Sequence, residues 1–318
     1  MGLFKKLFGG SGTDARQTNE EEKKEKDFDV LKYDGIRALK QGQLAYAIQC
    51  FTLALERKED LEVRDYLSQA FVHNNELLPA YEQLEKLAAA QPDNKLICIR
   101  MAEVAYMMED YEKMTKACQE GLDIDKNDAR LLYLQAESFI GLGNLIAAIA
   151  VLTQAITVGE GSNEEASARL LRGETLLKMG DINSADEDAQ WLLEHINQPV
   201  EEVFLLKARI MHAKGNKEEA ISYYNKVVDA NPFSAIAFRE RGAVYLEMGD
   251  KENAERDMQS FLEVNPQEAE AVNGEFQAEG TEGECSAHAS NKLGEEGQNI
   301  QQKIEGIYKD SLANPYGL

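Results

Sequence analysis

From residue 28 to about 268, apolar side chains recur at the three-to-four-residue spacing of an α-helix. Gly, Asn, Asp or Pro interrupts the pattern every 13 to 20 residues, and no alternating strand-like run occurs. The pattern predicts an all-helical segment of many short helices. Each helix has only one apolar stripe, so it must bury that stripe against neighbours.

The interruptions are themselves periodic. Aligning KQGQ (40–43), KMGD (178–181), AKGN (213–216) and EMGD (247–250) gives units starting near residues 28, 61, 95, 129, 166, 201 and 235. The eighth position of each unit is small: Gly35, Ser68, Ala102, Ala136, Gly173, Ala208 and Gly242. Twelve residues on come Ala47, Ala80, Met114, Ala148, Ala185, Ala220 and Ala254, small in all units but the third. Small residues at matched heights let two backbones approach, while Phe51, Leu84, Leu152, Tyr224 and Met258 fill the layer four residues further. Gly42, Gly143, Gly180, Gly215 and Gly249 follow the first helix, where a left-handed C-cap favours glycine. Pro92, Pro232 and Pro266 close three units at positions where helices tolerate proline.

With these residues in register, the chain resembles the tetratricopeptide repeat family, clearest in 207–232 and 241–266. The resemblance implies an all-α fold, a right-handed superhelical solenoid of antiparallel helix pairs. It also implies a concave groove lined by first helices, which grips an extended peptide or a helix of a partner protein. A helix pair cannot bury its apolar faces alone, so stacking supplies the core. Units two to four depart from the pattern: Asn75 and Glu109 replace the turn glycine, and Met114 replaces a small residue. GEGSN (159–163) lengthens the link into unit five and is expected to act as a bend or joint.

Composition narrows the function. The 318-residue chain is 43% apolar and carries 57 acidic against 34 basic residues, a net charge of −23. Nucleic acid is excluded as an expected partner, because phosphate binding needs a local excess of Lys and Arg. No apolar run approaches the roughly 18 residues of a membrane span. Four cysteines without a CxxC pair make no disulfide framework. The expected location is the cytoplasm, with a peripheral position at the inner membrane surface as the alternative.

No catalytic or cofactor motif is found. His73, His195, His212 and His288 fall in different units or in the tail, and no HExxH, GxSxG, P-loop or dinucleotide fingerprint occurs. Cys98 and Cys118 occupy positions where the family packs apolar side chains, which reads as two buried thiols. Neither a metal nor a cofactor is implied, and the chain is expected not to be an enzyme.

The family's groove positions are the second, fifth, ninth, twelfth and thirteenth of each unit. Carried over, the ninth of units three to five is Glu103, Glu137 and Glu174, with Tyr106 and Tyr133 nearby. Such a row suits a basic or aromatic-basic segment; the alternative is a solvated acidic face, with Arg100 and Arg130 offsetting some of the charge. The family's clamp for C-terminal carboxylates is not reproduced, since Lys32, Ile36 and Tyr66 stand at the corresponding positions.

Three functions follow: a non-catalytic protein-binding scaffold or adaptor, a membrane-tethered adaptor, and an enzyme with an unfamiliar site. The tether would use residues 1–8, where Leu3, Phe4, Leu7 and Phe8 share one helical face and give a weak, reversible membrane contact. Residues 9–27 hold one aliphatic side chain, Ala15, and are expected to form a mobile linker, so that 1–27 is a flexible segment. Beyond the repeats, the pattern predicts a capping helix over 269–276, an acidic Gly/Ser-rich linker over 277–297 and an amphipathic helix over 298–318.

Overall fold

The computed structural model describes residues 14–196 and 200–266, with side chains from residue 25 onward. Among these residues fourteen helices and no strand occur, and the chain divides between Val158 and Gly159 into two compact units. The first unit has four pairs: α1 (Asp14–Lys40) with α2 (Leu44–Arg57), α3 (Leu61–His73) with α4 (Leu77–Ala90), α5 (Lys95–Met107) with α6 (Tyr111–Ile124), and α7 (Ala129–Gly141) with α8 (Leu145–Val158). The second has three: α9 (Asn163–Lys178) with α10 (Ile182–His195), α11 (Glu201–Ala213) with α12 (Lys217–Ala230), and α13 (Ala235–Glu247) with α14 (Lys251–Val264). The division falls at the long link, where Gly161 N donates to Glu165 Oε2 at 2.8 Å.

Pairing follows from turn chemistry. The five turn glycines take φ between 72° and 84°, and Asn75 and Glu109 adopt the same left-handed conformation at 59° and 55°. The two departures from glycine therefore keep the turn geometry. Asp60, Asp110, Asp128, Asp181 and Asp250 each accept a backbone N–H three residues on, capping the helix that follows. Each cap is worth about 1 kcal/mol.

Ala47, Ala80, Met114, Ala148, Ala185, Ala220 and Ala254 are all fully buried. At Gly35 a Cβ would stand 2.6 Å from the ring of Phe51, so only glycine lets α1 and α2 close to this distance. First helices also touch one another directly: α1 with α3, α5 with α7, and α9 with α11. Within each unit this makes the first helices the tighter layer, and their outward side the candidate binding face.

Helix α1 corrects one expectation. It starts at Asp14, so residues 14–27 are helical rather than a mobile linker. The apolar count there is low, but Glu20 stands four residues before Lys24, and Glu22 four before Lys26. Such spacing and good intrinsic propensity extend a helix that packing has already nucleated at Phe28. Likewise α9 begins at Asn163, three residues before the expected start of its unit. Leu3, Phe4, Leu7 and Phe8, and the elements expected over 269–276, 277–297 and 298–318, lie outside the described residues. Among the described residues no helix is long and apolar enough to cross a membrane.

Candidate binding face

In the first unit, α5 carries Glu103 and Tyr106 and α7 carries Tyr133 and Glu137, each pair spaced to share one helical stripe. Packing of α5 against α7 sets the stripes side by side. Tyr106 is 47% exposed, and Leu96 on the same helix 61%. Exposed apolar side chains side by side on one face offer contact area.

The carboxylates differ from one another. Glu103 is ion-paired with Arg130, which reaches across from α7, so its charge is largely answered within the protein. Glu137 accepts a hydrogen bond from Tyr133. Burial pushes the Glu137 carboxyl up, and the bond from Tyr133 only partly opposes this. Glu174 belongs to α9 in the second unit. Its carboxyl is also pushed up by burial, against the attraction of Arg209, with Glu202 adding to the rise.

Arg100 links α5 to α3, bonding Asp65 and donating to Ser68 Oγ at 2.6 Å. Beside it a recess of about 430 Å³ opens between α3 and α5, with Leu61, Leu87, Leu96 and Ile97 among its walls. The groove residues singled out from sequence did not include Leu96, although it stands at the second position of its unit. Cys98 and Cys118 are buried free thiols. Burial pushes both up, Cys118 to about 12, which leaves them poor nucleophiles at neutral pH.

A model of the tetratricopeptide repeat matches residues 201–234 and 240–268, which cover α11, α12 and α14 and the part of α13 from Glu240 onward. Among solved structures, a tetratricopeptide repeat protein from Parabacteroides merdae aligns with a TM-score of 0.61 at 16% identity, over 76% of this chain and 94% of that one. The C-terminal part of a repeat-containing protein from Cytophaga hutchinsonii gives 0.57 at 16% identity, over 77% and 98%. PilW, a type IV pilus biogenesis factor, gives 0.57 at 17% identity, over 64% and 93%. At these identities the likeness is one of fold. Helix pairing and these likenesses agree: the described residues have the tetratricopeptide repeat fold, and residues 201–234 and 240–268 match the repeat's family model.

Proposed function

We propose that the chain is a non-catalytic protein-binding scaffold whose first-helix face takes a basic or aromatic-basic segment of a partner protein. The observation that carries this reading is Glu137, a half-buried carboxylate that bonds Tyr133 and has no ion pair to a described Lys or Arg. An incoming ammonium or guanidinium would offset the desolvation cost of that carboxylate, while Tyr106 offers an aromatic face. Glu174 extends the same chemistry to the second unit.

A labelled peptide of alternating arginine and tyrosine tests the reading. It binds the wild-type chain and binds the E103Q/E137Q/E174Q variant more weakly. Equal affinity for both proteins rejects the basic-segment reading.

A further inference from the structure

A second recess, of about 490 Å³, lies in the second unit and is separate from the first-helix face. Its walls come from the second helices α10 and α12, with α11 and the turn after it between them. Three lysines reach it, Lys207, Lys214 and Lys226, against two acids, Asp186 and Glu219. In a chain with a net charge of −23, a recess with an ammonium excess stands apart from its surroundings.

The lysines are placed unequally. Lys207 is only 6% exposed and donates to Asp186 Oδ1 at 2.5 Å and to Gln190 Oε1 at 3.4 Å. Lys214 donates to the other oxygen, Asp186 Oδ2, at 2.7 Å. One carboxylate thus serves two ammonium groups. Burial pushes the Asp186 carboxyl up, but the bonds from Lys207 and Lys214 outweigh it and hold the group below its ordinary range. Lys226 pairs with no carboxylate among the described residues. Its Nζ lies 4.3 Å from the centre of the Tyr223 ring and 5.8 Å from that of Phe204.

A bridge that only fastened α11 to α10 would need one lysine on Asp186. The second lysine and Lys226 leave one positive charge over the carboxylates, with Lys207 buried at the floor and Lys214 and Lys226 exposed at the rim, where an incoming group can reach them. A local cluster of like charge sets a local potential opposite to that of the chain as a whole. One excess positive charge matches a monoanion.

We propose that this recess binds a carboxylate side chain from an acidic segment of a partner protein, with Lys214 and Lys226 as its donors. Lys207 holds Asp186 in place and keeps the local potential positive. The Tyr223 ring fixes Lys226 at the rim, and the Ser222 hydroxyl is a further donor at the wall. The two faces would then select opposite chemistries: basic segments at Glu137, acidic ones here.

The test is fluorescence anisotropy on the full chain with a labelled oligoglutamate peptide. The chain's overall charge repels such a peptide, so binding reports a local site. K226Q weakens binding by about two- to fivefold, and K214Q/K226Q weakens it further. Lys226 has no ion pair with a described residue, so K226Q keeps the wild-type melting temperature and separates lost binding from lost fold. The E103Q/E137Q/E174Q variant binds oligoglutamate as tightly as wild type, so failure here is distinct from failure of the basic-segment reading. No measurable binding, or equal affinity for wild type and K214Q/K226Q, overturns the proposal. So does displacement by inorganic phosphate under conditions where acetate at the same ionic strength has no effect, because the site would then select a phosphate.

Discussion

Arg209 on α11 and Glu240 on α13 meet at two points, Nη2 2.7 Å from Oε1 and Nε 2.9 Å from Oε2. Tyr224 from α12 donates its hydroxyl to Oε2 at 3.0 Å, so one carboxylate ties three helices of the second unit together. Both charged side chains are nearly out of water, at 9% and 3% exposure. Burial alone would lower the Arg209 pKa, but the hydrogen bonds and attraction of Glu240 outweigh it and raise the value.

Removing one partner leaves the other as a buried uncompensated charge, a loss of about 3–5 kcal/mol. E240Q and R209M should each lower the urea midpoint strongly. The R209M/E240L double variant should recover much of the loss, because the desolvation cost of both charges disappears with them. An E240Q midpoint equal to that of wild type would show that the pair contributes nothing.

Glu109 should gain from becoming glycine. Its φ of 55° places a β-carbon in the left-handed region, which costs about 1–2 kcal/mol for an ordinary residue. Glycine removes that cost but frees the unfolded chain, which returns about 0.4–1 kcal/mol. The net expectation for E109G is a gain of about 0.5–1 kcal/mol. N75G should gain less, since asparagine tolerates this conformation better. Thermal melts of both variants check the order, and a destabilised E109G would contradict it.

Glu137 gives stability a pH dependence with a definite sign. Burial raises its pKa in the folded state, so the folded chain holds that proton more tightly than the unfolded chain does. The associated stability is fully present below the unfolded value of about 4.3 and is lost as pH rises through the folded value. At neutral pH, E137Q should therefore be more stable than wild type, and its advantage should shrink on acidification through this window. Urea midpoints of the two proteins across pH 4 to 7 measure the difference. A gap independent of pH would remove the titration of Glu137 as its cause.

The repeat register was legible because seven weak copies add up. Helices α3, α5, α7, α11 and α13 begin at 61, 95, 129, 201 and 235, where the small residues and turn glycines place the starts. The sequence shows the reason: a helix pair with small residues at two heights can bury its apolar faces only by stacking. Gly35 against Phe51 is one such contact, read from spacing and found in the packing.

The candidate face was only partly legible. Spacing places Glu103 and Glu137 on one side of their helices, but it does not say that Arg130, 27 residues after Glu103, lies against that carboxylate. Nor does it separate Glu174 into the second unit, or bring Asp186 between Lys207 and Lys214. The period of the chain fixes which face a side chain occupies. Charge pairing depends on side-chain reach and helix offset across the stack, which vary from pair to pair. The sequence by itself therefore determined the repeat and its helices, while the tertiary structure alone decided which charges are answered within the protein and which face outward.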